Sequence, residues 1–295
     1  MWFFFAMLGN VLWSISDVVV SMIINRIERS SVMVTWMFSF IQLVILGVLY
    51  VILPIEHIWV GVFALSAFSS YLATLSFLKL LQTVDVSVSS VAWVFLSIGV
   101  AVGGVFLFGD TWTALQGIGA TMSVLGALSL ALWHKRIDRL QTLILLFTTG
   151  ILFVPTFLVQ KSAYLEGISV ISVMFWTLLF YDLYALCYPL LMPSRRKRIK
   201  PFLSSMQPIF IGMILIWVLL SMVSFWATTF AYKLGDASLV GITENGQPFF
   251  LILFAWIATK LSPKYAPKEI LTSQSIGIKI VSFIVVFTGL GLLAI

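Results

Sequence analysis

Ten hydrophobic runs, each about as long as a helix must be to cross a bilayer, fill almost the whole chain and restrict it to one class of fold. A hydrocarbon core of about 30 Å takes about 20 helical residues at about 1.5 Å each. The runs fall at 3–24, 31–52, 58–80, 86–108, 112–133, 141–160, 168–191, 209–231, 238–260 and 274–294. Polar stretches at 25–30, 54–57, 109–110 and 134–139 separate several of them. Backbone polar groups in lipid must be satisfied within the protein, so each run is a helix or a barrel strand. Barrel strands are about 10 residues long and alternate strictly, whereas these runs are long and apolar on every side. The expected fold class is an all-α integral membrane protein with ten transmembrane helices. A soluble chain of 295 residues with 61% hydrophobic and only 9% charged side chains would precipitate.

The opening Met1-Trp2-Phe3-Phe4-Phe5 has neither a basic region nor a small-residue cleavage site, and reads as the start of the first span. No organelle address is visible, which points to a bacterial inner membrane. The single cysteine, Cys187, lies within the seventh run, where a small apolar packing residue is the plain reading. The net charge of +6 matters less than its placement. Arg26, Arg29, Lys79, Lys135, Arg136, Arg139, the cluster from Arg195 to Lys200, Lys260, Lys264 and Lys268 all follow odd-numbered runs. The opposite face carries Lys161 and Lys233. The positive-inside rule then puts the odd loops in the cytoplasm and both termini outside. The Arg195 to Lys200 cluster suits anionic lipid, and no aromatic platform accompanies it for nucleic acid.

The second half repeats the first in outline, over 1–139 and 140–295. Gly9 falls on Gly150, Trp36 on Trp176, Gln42 on Asp182, Lys79-Leu80 on Lys233-Leu234, and Val86-Ser87-Val88 on Ala237-Ser238-Leu239. Gln116-Gly117-Ile118-Gly119 falls on Gln274-Ser275-Ile276-Gly277. Five runs per half is an odd number, so the second copy enters the membrane in the opposite sense. Inverted-topology repeats recur in secondary transporters, which rock two copies about a midplane site.

Gly109-Asp110 and Gln116-x-x-Gly119 flank the start of the fifth run, and Gly235-Asp236-Ala237-Ser238 precedes Pro248 in the ninth. On these features the whole chain resembles the EamA-type transporters of the drug/metabolite transporter superfamily. The resemblance implies two five-helix repeats, small-solute transport, and a central cavity lined by spans 1, 3, 4, 6, 8 and 9. The chain departs from that pattern in places. The fourth span lacks the family's proline and has Ser97 near its position, and Ser262 stands where a second acidic residue would match Asp110. Many family members keep both termini in the cytoplasm, opposite to the charge count.

Mid-membrane ionisable groups cost about 2.5 to 3.5 kcal/mol each on insertion scales, so each needs a reason. Glu244 lies seven residues into the ninth run, about 10 Å deep. Pro248 has no N–H to give, which predicts a free Glu244 carbonyl and an interrupted helix at Glu244-Asn245-Gly246-Gln247. A kinked helix bonded to its neighbours is the structural alternative. Asp17, deep in the first span, approaches the midplane from the other face. Two such carboxylates can bind and release a proton, or neutralise a cationic solute. The alternative for Asp17 is a bond to Trp13, Ser14 or Ser21. Trp93 matches Glu244 across the repeat and would offer an aromatic face to an organic cation. The expected binding or coupling set is Asp17, Glu244, Trp93, Trp13, Asn10, Asn245 and Gln247, with Pro155, Pro248 and Gly246 as hinges.

Other features read as structural. Lys79 and Lys233 end spans three and eight and snorkel to the interface, Asp182 makes a packing bond, and Gly99-x-x-x-Gly103 permits close helix approach. His57 and His134 sit in loops, and no metal cluster, Walker loop or nucleophile motif is present. No cofactor and no enzymatic activity are expected. The reading is proton-coupled export of a small amphipathic amine or amino-acid-like solute by alternating access. Its partners are the bilayer, the solute and protons, without nucleic acid, and the chain acts as a monomer or homodimer. The alternatives are a sugar-phosphate or nucleotide-sugar antiporter, which needs deep cations that only Lys161 approaches, and a non-transporting scaffold.

Overall fold

The computed structural model describes residues 1–57, 59–132, 139–267, 269 and 273–295, so His134 and Lys268 lie outside the described residues. The described residues form helices and contain no strand. In chain order these are α1 (Trp2–Arg26), α2 (Ser31–Ile52), α3 (Val60–Thr83), α4 (Val86–Ser89), α5 (Ala92–Gly103), α6 (Ala114–Leu132) and α7 (Arg139–Leu165). There follow α8 (Val170–Leu191), α9 (Pro193–Ser204), α10 (Pro208–Leu234), α11 (Ala237–Thr243), α12 (Gln247–Leu261) and α13 (Ser273–Leu293). Seven segments are long and apolar enough to cross a membrane: α1, α2, α3, Val86–Phe108, Leu140–Leu165, α8 and α10. The expected fifth and tenth runs fall on shorter apolar helices, and the expected ninth is divided between α11 and α12.

Local chemistry sets the helix boundaries. Ser30 caps α2 by accepting from the Met33 N–H at 3.4 Å, and Glu28 accepts from the Ser30 N–H at 2.7 Å. Thr113 and Gln116 form a reciprocal capping box at the start of α6, with bonds of 3.0 and 3.2 Å. Gly109, at φ 71°, closes the π-turn Gly104–Phe108 that follows α5. The fourth run breaks between α4 and α5 although it has no proline. Ser89 and Ser90 turn their hydroxyls back onto the carbonyls of Val86 and Ser87, at 2.7 and 2.8 Å, beside that break.

Connections gather at two ends of the bundle. At one, near Trp2, Glu56 accepts from the Ser169 N–H at 2.9 Å, and the Trp176 indole donates to the Glu56 carbonyl at 2.8 Å. At the other, near Arg26, Asn25 donates to the Leu81 carbonyl at 2.9 Å and Gln82 to that of Arg29 at 2.7 Å. Between the ends, α1 packs on α10, and α7 packs on α3. Three further contacts pair α2 with α8, α5 with α11, and α6 with α13.

The α6–α13 contact is the tightest of these in backbone terms. A Cβ added to Gly119 or to Gly289 would fall 2.5 Å from the other's carbonyl oxygen, so the helices touch main chain to main chain. Ser123 donates to the Val286 carbonyl at 3.4 Å, and the Ser129 and Ser282 hydroxyls bond each other.

Candidate functional site

A cavity of about 140 Å³ lies at the centre of the bundle, between α1, α2, α3, α5, α7, α8, α10 and the turn joining α11 to α12. That is room for roughly ten waters or one small organic molecule. Its lining side chains are all buried or half-buried. Buried side chains lie beyond it on both sides: Ile23, Ile24, Met33, Leu81 and Val86 towards the Arg26 end, and Ala6, Phe63, Ala163, Val173 and Tyr232 towards the Trp2 end.

Asp17 and Glu244 both line it, 5% and 4% exposed. Asp17 is held from the opposite half of the chain, its Oδ2 accepting from Gln247 Nε2 at 2.8 Å. Ser14 donates to the Gln247 carbonyl at 3.0 Å, fixing the start of α12 against α1. The walls are aromatic: Trp93 packs between Phe77 and Phe153 at 5.0 and 5.4 Å, and Phe38 meets Trp217 at 4.1 Å. The Trp93 indole N–H faces Asp17 without closing a hydrogen bond. No Lys or Arg lines the cavity among the described residues.

The structure brings Trp13, Asp17, Trp93, Glu244 and Gln247 together and leaves Asn10 and Asn245 out. Asn10 donates to the Thr243 carbonyl at 2.6 Å, and Asn245 accepts from the Ser97 hydroxyl at 3.1 Å, so both amides bind helices to each other. Trp13 also donates to Thr228 Oγ1 at 3.2 Å. A second correction concerns the Glu244 carbonyl. Glu244–Gly246 is one turn of 3₁₀ helix, and the Gln247 N–H donates to that carbonyl, so it is not free. Pro248 opens α12, where its missing N–H leaves no gap. Pro155 lies inside α7, which is continuous from Arg139 to Leu165.

Sequence reading missed Gln42, Ser70, Thr74, Tyr181 and Trp217 in the lining. Ser66, Ser70 and Thr74 recur every four residues along α3, a stripe that was there to be read. Gln42 lies against its repeat counterpart: its amide nitrogen donates to both oxygens of fully buried Asp182, at 3.0 and 3.2 Å. Lys161 is also buried, but its Nζ donates to the carbonyls of Tyr232 and Gly235 at 3.2 and 2.7 Å, away from the cavity. Lys79 and Lys233 are exposed at the ends of α3 and α10. Gly99 and Gly103 admit the side chains of Val154 and Leu158, which seats α5 on α7.

Two carboxylates outside the cavity hold the broken helices. Asp110 accepts from the Ser238 N–H at 2.8 Å at the start of α11. Glu269 accepts from the Ser87 N–H and hydroxyl at 3.1 and 2.7 Å at the start of α4, and is paired with Lys279. Glu269, not Ser262, therefore does in the second half what Asp110 does in the first.

No protein-family profile matches the chain, and no curated protein sequence matches it. A solved structure described only as the crystal structure of a protein is similar over 98% of this chain and 95% of its own, with TM-score 0.66 and 15% identity. At that identity the likeness carries the fold alone.

Proposed function

We propose that the chain is a secondary transporter of the EamA type, exporting a small amphipathic amine in exchange for protons. The observation that carries this reading is the cavity itself, in which two carboxylates and, among the described residues, no cation share an aromatic chamber. Asp17 and Glu244 lie in each other's field in a medium that screens poorly. A pair of that kind calls for a proton or a cationic solute as its counter-charge, and exchange of one for the other is antiport. The aromatic walls suit the apolar body of an amine and its charge. A phosphorylated solute would need buried cations, and Lys161 spends its donors on backbone carbonyls.

Alternating access rests on ten crossings arranged as two inverted halves, and the packing supports that arrangement. Helix α1 packs on α10 as α7 packs on α3, which is the exchange of partners a two-fold axis in the membrane plane produces. Asp110 caps α11 from the first half and Glu269 caps α4 from the second. The basic Arg26 end faces the cytoplasm, so a reporter fused to Ile295 will be active only outside.

The test is thermal unfolding of purified protein with phenethylamine or glucose 6-phosphate. A ligand at 100 times its dissociation constant stabilises by about 2.7 kcal/mol, a plain rise in Tm. Phenethylamine is expected to raise the Tm of the parent and not of Glu244→Gln or Asp17→Asn. Equal stabilisation of all three by glucose 6-phosphate would overturn the reading.

A further inference from the structure

Towards the Trp2 end, the faces of α7 and α10 that line the cavity continue into a seam of polar side chains. Phe157 and Phe225 line the chamber, and Gln160, Thr229 and Tyr232 follow within the next two turns on the same helices. Gln160, Thr229 and Tyr232 are completely buried. Thr229 Oγ1 donates to Gln160 Oε1 at 3.4 Å, which leaves Gln160 Nε2 with no partner. The Tyr232 hydroxyl has none either.

The Tyr232 ring packs on Phe157 at 5.1 Å and its hydroxyl lies 3.5 Å from the place a Gly241 Cβ would occupy. Gly241 is three residues before Glu244 in α11 and its continuing turn, so that hydroxyl sits about one turn above the carboxylate and within its field. Tyr164, one turn beyond Gln160, faces Thr229 and is 9% exposed, where α7 ends at exposed Leu165 and Glu166. Polar groups therefore follow one another from Glu244 towards the Trp2 end, the last of them, the Tyr164 hydroxyl, still buried.

We infer that this file is the proton path of Glu244: waters entering the α7–α10 seam bond Tyr232, Gln160 and Tyr164 in turn and carry a proton between the carboxyl and the Trp2 end. Buried donors left without partners are the groups that ordered water satisfies, and chains of such groups serve as proton relays in membrane proteins. The proton leaves the Glu244 carboxyl for a water, and the water file passes it on, so no other reactant is needed. The charged groups facing this path are Asp17 across the cavity, Lys161 on the carbonyls of Tyr232 and Gly235, and Asp110 and Asp236 behind it. The inference rests on the transport reading, in which Glu244 carries the proton.

The experiment needs no solute. Infrared spectroscopy of the reconstituted protein at acidic pH follows the carbonyl band of protonated carboxyl groups after transfer to D2O, and the band missing from Glu244→Gln belongs to that residue. Tyr232→Phe and Gln160→Leu are expected to slow deuteration of that band at least about tenfold while leaving the Tm rise with phenethylamine intact. Tyr71→Phe removes another unpaired buried hydroxyl, on α3 and away from the seam, and is expected to change nothing. Deuteration at the parental rate in both seam variants would overturn the path, and so would a Glu244→Gln spectrum that lacks no band. If Glu244→Gln instead keeps its full Tm rise with phenethylamine, the transport reading is what fails.

Discussion

Asp182 lies at the crossing of α2 and α8, where the Gln42 amide meets both its carboxylate oxygens. Removing one partner strands the other in a dry interior, at about 1 to 3 kcal/mol, whereas removing both strands nothing. Gln42→Leu and Asp182→Leu are each expected to destabilise, and the double variant to destabilise less than their sum, measured by unfolding in detergent. Strict additivity would show that the two groups do not hold each other. The sequence put these two residues in register across the repeat, but could not show that a residue and its counterpart touch. Asn10, Ser14, Asp17 and Ser21 follow one face of α1, and all are buried. Only Asp17 of the four reaches the cavity, while Asn10 and Ser14 bond the Thr243 and Gln247 carbonyls. In a chain apolar on every side, a polar stripe marks the protein interior and leaves open whether void or helix lies against it.

The two broken elements show how unevenly interruptions can be read. Pro248 advertised the break before α12, and the tightened turn at Glu244–Gly246 then satisfied the carbonyl expected to be free. The break between α4 and α5 had no such sign, because serine hydroxyls beside it bond their own backbone. Each broken element starts at an N-terminus that a carboxylate from elsewhere in the chain caps. Asp110→Ala is expected to lower stability by about 1 kcal/mol, the usual worth of such a cap, and Asp110→Asn by less, since the amide oxygen still accepts. Glu269→Ala is expected to cost more than Asp110→Ala, because it also removes the Lys279 ion pair. Denaturant midpoints for the three variants check the order, and a silent Glu269→Ala would remove its claim to a structural part.

Across the whole molecule, the class of fold was legible from run length and apolarity alone, and the resemblance implied a central chamber; its walls also take in α2 and α8, through Phe38, Gln42, Thr177, Leu178 and Tyr181, which no motif marked. None of those walls belongs to α6 or α13. The two helices lie backbone against backbone at Gly119 and Gly289. On the transport reading, the rearrangement that opens the chamber passes this pair by. Cysteines placed at Ser129 and Ser282 in a Cys187→Ser background, and joined by oxidation, are therefore expected to leave phenethylamine flux through proteoliposomes unchanged. Flux abolished by the bond and restored by reduction would show that the pair itself must part. On that reading the pair is an axle: it can be bolted fast while everything mounted on it still turns.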